Sequence, residues 1–271
     1  LIEKGISICT SLDGPKELHN KNRPYRKDNH EEVAYWIKRI NEEYKKRKIE
    51  STRVNALVTL TKDSLQYPRE IIDEYVGLGL QNIHLRFLNY IGVAKTAQHH
   101  INYPVEDYLD FWYKALEYIK ELKDKGISIN ERMITIMLRK ITKEFDPGYL
   151  DLRSPCGASI GQLAYNYNGD IYTCDEARML GEDDLFKLGN VDEHLYKDIV
   201  TCDKACAVTD ASINDQYICD ACAYKPYCGV CPVINYIEQG SIIGKISQTD
   251  RCKIFKAQFD WVLKNYLIKD D

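Results

Sequence analysis

Nine of the chain's ten cysteines fall between residues 156 and 252, and four of them crowd into the thirteen positions of CDACAYKPYCGVC, residues 219–231. Thiols at that density must be paired, bound to metal, or buried. Disulfide frameworks belong mainly to small secreted chains. This chain has 271 residues and 44% hydrophobic content, enough for a sizeable core, and shows no export signal. Metal binding is therefore the expectation for the cysteine-rich part. The same lopsidedness places a domain boundary near residue 150, giving parts 1–150 and 151–271.

The net charge of −4, with acids and bases interspersed, is no footprint for nucleic acid. YKKRK, residues 44–48, reads as a solvated helix end rather than a phosphate-binding patch. No apolar run approaches the roughly 18 residues needed to span a bilayer, so a cytoplasmic, membrane-free protein is expected. The chain opens LIEKGISIC, without methionine and already inside a strand-like pattern, as a piece of a longer protein would.

The first part alternates strand and helix. KGISICTSL reads as a short buried strand, with Cys9 a buried, unliganded thiol. Residues 30–47 read as a helix with Val33, Tyr35, Trp36, Ile37 and Ile40 as its apolar stripe. TRVNALVTLT (52–61) and NIHLRFLNY (82–90) read as strands, 64–77 and 104–125 as helices closed by Gly77, Gly79 and Gly126. That order predicts parallel βαβ units. Three strands leave the strand of residues 5–11 with an unpaired edge, which a missing N-terminal half-barrel or a second copy would cover. In the second part, QLAYNYNGDIYTCD (162–175) reads as a hairpin turning at Asn168-Gly169, and 253–267 as a closing helix.

Cys219 and Cys222 are close enough to bind one cluster, and Cys228 can close back on them. Cys231, beyond the Gly229 turn, can serve a neighbouring cluster, as the last cysteine of a ferredoxin run does. A four-cysteine zinc site has similar spacing, so spacing alone leaves iron–sulfur and zinc both open.

The pattern Cys156-x12-Gly169-x4-Cys174, then Cys219-x2-Cys222-x5-Cys228-x2-Cys231, then Cys252, resembles the SPASM domain of radical S-adenosylmethionine enzymes. The last gap departs from the family's commoner form, which has three residues there. The resemblance implies one auxiliary [4Fe-4S] cluster on Cys219, Cys222, Cys228 and Cys252, and a second on Cys156, Cys174 and Cys231. YLDLRSPC holds no upstream cysteine, so the second cluster's fourth position is either open or filled by Cys202 or Cys206.

SLDGP (11–15) with HNKNR (19–23) resembles the corresponding segment of SPASM maturases and implies a cofactor site at Ser11, Asp13 and Arg23. Asp175, directly after Cys174, corresponds to the general base of relatives that oxidise a serine or cysteine in a protein. CGASIGQLAYNYNGDIYTCDEARML and CAYKPYCGVCPV are most similar to maturases of His-Xaa-Ser peptide systems.

The implied fold is α/β: the C-terminal half of a partial (β/α)6 TIM-like barrel, strands 4–6, followed by a small irregular cysteine-rich domain with a hairpin and helices. The implied parent is an oxidoreductase that modifies a peptide or small protein by 5′-deoxyadenosyl radical chemistry, with a second maturase as a further partner. The C-x3-C-x2-C motif that carries the radical-generating cluster is missing from these residues, so this chain alone is expected to be inactive. Two readings compete with this one: a non-catalytic zinc module that binds a peptide or protein, and a ferredoxin-like electron carrier.

Overall fold

The computed structural model describes residues 1–25, 28–49, 54–181, 185–213 and 217–268. The chain forms two compact units, one from Leu1–Leu88 with Gln98–Thr135, the other from Asn89–Ala97 with Ile136–Asp271.

In the first unit β1 (Cys9–Ser11) runs parallel to β2 (Asn55–Leu57), and β3 (Asn82–Ile83) parallel to β4 (Asn130–Glu131). Each strand leads into helix: Lys16–Asn22 and Asn29–Lys46 after β1, Pro68–Gly77 after β2, Val105–Asp124 after β3, and after β4 Arg132–Thr142, of which Arg132–Thr135 belong to this unit. This is the parallel strand–helix order expected from the sequence. The sheets are small, and among the described residues the strands form no closed barrel.

The helices follow the periodicity. Val105, Tyr108, Phe111, Trp112, Ala115 and Leu116 form one buried face of Val105–Asp124. That helix faces Pro68–Gly77, where Arg69 grips Glu121 at 2.7 and 3.0 Å. Pro68–Gly77 closes by a Schellman motif: Gly79 at φ +72° donates to the Val76 carbonyl, and Leu80 N–H to that of Tyr75. Two buried tyrosines bolt helices to strand ends. Tyr75 donates to the Leu12 carbonyl at 2.8 Å and Tyr108 to the Leu85 carbonyl at 2.7 Å.

Several sequence expectations are corrected. In Asn29–Lys46 the buried line is His30, Ile37 and Tyr44, seven residues apart, which turns Tyr35 and Trp36 outward to pack edge-to-face on each other at 5.4 Å. The strand around Cys9 is not buried: among the described residues β1 has a strand partner on one side only, and Cys9 is exposed. The 52–61 strand shortens to 55–57, with residues 52–53 outside the described set, and the 82–90 strand to 82–83. The 64–77 helix is broken into a 3₁₀ turn, Ser64–Gln66, and a helix restarting at Pro68, whose ring fits only a first turn. A fourth strand, β4, and the helix Arg132–Thr142 join the expected set.

The second unit holds an antiparallel sheet of β5 (Ala164–Tyr165), β6 (Asp170–Tyr172) and β7 (Lys187–Asn190), in that order. β5 and β6 are the expected hairpin. Its turn closes from Gly169 N–H to the Asn166 carbonyl, with Gly169 at φ +85°. β7 is an addition, tied to the turn by Asn190, whose amide donates to the Asn168 carbonyl and to Asp170 Oδ1. Helices Asp203–Ala211, Pro232–Gln239 and Asp250–Val262 complete the unit, the last continuing into a π-helical turn, Leu263–Leu267.

Candidate metal centre

All ten cysteines are free thiols. Cys219, Cys222, Cys228 and Cys252 line one cavity, with Tyr224, Lys225, Lys256, Phe255 and Phe259 in its wall. Cys219 follows Ile218 in a short helix, Tyr217–Asp220, and Cys222 follows one turn later, its N–H on the Cys219 carbonyl at 3.0 Å. Cys252 is placed from the far end of the sequence. Thr249 caps the helix Asp250–Val262 by accepting the Cys252 N–H at 3.2 Å, which sets this thiol in the first helical turn.

Burial pushes the Cys228 thiol up to about 12, reinforced by the neighbouring Cys252, Cys219 and Cys222. Burial likewise raises Cys219 and Cys252, and nearby lysines pull both back.

A second group gathers in an apolar core. Cys156 and Cys174 are buried with Ala158, Ala164, Tyr172, Phe186 and Val233, and Cys231 packs against them. Gly229 explains how Cys231 arrives there. A Cβ on it would meet the backbone of Asp151 and Arg153 at 2.7 Å, so the 229 turn lies flush on the segment leading to Cys156. Ser212 receives the Cys156 N–H at 2.8 Å, and Ser159 N–H reaches the Thr173 carbonyl at 2.9 Å, pinning the Cys156 loop to the segment before Cys174. Burial pushes Cys174 up to about 12 and Cys231 to about 11. Beside this group, buried Arg251 grips Asp151 at 3.1 Å and Asn89 at 3.2 Å.

Cys202 packs elsewhere, against Ile171, Leu188, Ile199 and Ala205, and Cys206 is exposed; neither joins the three-thiol core. Asp175 opens the helix Asp175–Arg178 directly after Cys174. Its carboxylate is exposed and receives Arg178 at 2.7 and 3.1 Å.

In the first unit Ser11 ends β1, and Asp13 is buried just beyond it. Asp13 receives three protein donors: Arg23 Nε at 2.9 Å, Arg23 Nη2 at 3.2 Å and Thr59 N–H at 2.9 Å. Its own N–H donates to His19 Nδ1 at 3.1 Å. These groups sit past the C-terminal ends of β1 and β2, where parallel α/β folds place their sites. Sequence reasoning missed Thr59 and His19, whose partners are set by packing rather than by spacing. Glu131, also missed, ends β4 and accepts N–H bonds from Leu85 at 3.2 Å and Ile134 at 2.8 Å. Burial raises its carboxyl to about 7.

Among the described residues, no three His, Cys, Asp or Glu side chains converge closely enough to hold a single ion. The donor chemistry does fit a larger group. Four thiols ring one space, walled by aromatic rings, and part-buried thiols of this kind ionise when a metal supplies the counter-charge.

No protein-family model matches the chain, and no curated protein matches its sequence. Solved structures do match. Hexahistidine-tagged anSMEcpe with bound AdoMet superposes with a TM-score of 0.71 at 20% identity, over 97% of this chain and 65% of that one. Native anSMEcpe with bound AdoMet and Cp18Cys peptide gives 0.71 at 19%, over 97% and 68%, and the form with Kp18Cys peptide gives 0.69. The chain thus spans about two thirds of the length of these structures. Across 97% of its own length it shares the fold of anSMEcpe.

Proposed function

We propose that the chain is the auxiliary-cluster portion of a radical SAM/SPASM oxidoreductase that modifies a peptide or small protein in the cytoplasm. It would comprise strands 4–6 of a partial barrel in residues 1–150 and a SPASM domain in 151–271. The observation that carries this reading is the gathering of Cys219, Cys222, Cys228 and Cys252 round one cavity, in a fold shared with an enzyme solved with AdoMet and peptide. Those four thiols would hold one [4Fe-4S] cluster, and Cys156, Cys174 and Cys231 a second with one position left to a non-cysteine ligand. When bound, S-adenosylmethionine would supply hydrogen-abstracting radical chemistry, and iron–sulfur clusters on these thiols would supply capacity for the surplus electron.

The residues of this chain hold and orient. Asp13 fixes the Arg23 fork beside Thr59, and Arg23 and Ser11 would hold the methionine carboxylate of the cofactor past the strand ends. Asp175, steered by Arg178, faces solvent one residue from a cluster thiol and takes the substrate's proton. The missing C-x3-C-x2-C must come from outside these residues for turnover.

Purification of this chain without air, followed by iron, sulfide and zinc analysis, tests the reading. Brown protein with roughly eight irons per chain and absorbance at about 400 nm is expected. Colourless protein with stoichiometric zinc overturns it in favour of a structural metal module.

A further inference from the structure

The four-thiol cavity carries two cations that the ligand set does not use. Lys225 and Lys256 both line it. Lys256 lies one helical turn after Cys252 on Asp250–Val262, so the two share a face. Lys225 lies three residues from both Cys222 and Cys228. Lys225 is also ion-paired with Asp220, which offsets part of its charge. By contrast, the cation beside the three-thiol core, Arg251, is already neutralised by Asp151.

We propose that Lys256 sets the electron affinity of the four-thiol site. This rests on the reading that these thiols hold an iron–sulfur cluster. A cube on four thiolates is anionic, and adding one electron makes it more so. A fixed ammonium at the cavity wall stabilises the reduced state more than the oxidised one and raises the reduction potential. The electron comes from a carbon-centred peptide radical, which leaves as oxidised product once its proton has passed to a base. Lys256 therefore favours transfer to this site without touching the substrate.

The test is an anaerobic reductive titration of the full chain with dithionite and mediators, followed by electron paramagnetic resonance, in the parent, Lys256→Gln, Lys256→Arg and Lys225→Gln. Iron content is measured in each. One of the two reductive steps should move to lower potential in K256Q and return in K256R, and K225Q should shift it less. High salt should lower that step in the parent, by screening the exposed ammonium, and leave K256Q unmoved. Equal potentials in the parent and K256Q with iron intact overturn the proposal, as does iron loss in K256Q, which would make the lysine structural. A parent chain without iron instead removes the cluster reading itself, so the two failures are distinguishable.

Discussion

Cys219, Cys222, Cys228 and Cys252 ring a cavity with two lysines in its wall, whereas Cys156, Cys174 and Cys231 sit in an apolar core beside the buried Arg251–Asp151 pair. The first group is assembled by loops and a helix start, and that construction leaves its thiols part-exposed. The second is part of the folding core, so its thiols are placed by the same contacts that hold the unit together. Substitutions in the first group should therefore cost less stability than substitutions in the second.

Thiol reactivity gives the widest separation. In the metal-free chain at pH 9, a thiol raised from 9 to about 12 is ionised about five-hundredfold less. Because a raised pKa removes thiolate at any lower pH, Cys174 and Cys228 should be alkylated last and exposed Cys206 early, with Cys219 and Cys252 between them. Mass spectrometry of timed samples reads the order; uniform labelling would erase the distinction. Next in size is Arg251→Met, which strands Asp151 and should cost about 3–5 kcal/mol in urea unfolding. A loss below about 1 kcal/mol would mean that the pair is solvated.

Gly229→Ala should cost about 1–3 kcal/mol, because its Cβ meets backbone rather than a movable side chain, and it should speed labelling of Cys231. Gly77→Ala, with nothing within 4 Å, is the control and should stabilise by up to about 1 kcal/mol. Smallest in stability is Cys222→Ser, expected within about 1 kcal/mol of the parent. It should nevertheless remove about half the bound iron, the sharpest form of the contrast.

Long periodic helices were legible in the residues: Asn29–Lys46 and Val105–Asp124 lie within a residue of where their apolar spacing and terminal signals put them. Strand lengths were not. Beyond Ile83 the backbone of the apolar run is engaged by side chains, Leu85 N–H by Glu131 and Leu88 N–H by the Tyr103 hydroxyl, and local pattern cannot foresee partners so distant. Helix Arg132–Thr142 escaped notice because ITIMLRKIT is rich in β-branched residues and its first turn is satisfied by Glu131 rather than by a standard capping residue. For the site, cysteine spacing announced metal. The reach of Cys252 and the flush packing of Gly229 are tertiary facts, and Lys256 carries no motif.

Glu131 has a consequence beyond holding β4 to its helix. Its carboxyl ordinarily titrates at 4.5, and burial away from water raises that to about 7 although the N–H bonds from Leu85 and Ile134 pull the other way. Between those values the folded chain keeps a proton that the unfolded chain has released. Mild acidification should therefore tighten the first unit: the benefit is complete below 4.5 and fades as pH climbs through 7. A Glu131→Gln chain, which has no proton to lose there, should unfold with a flatter response across the same range.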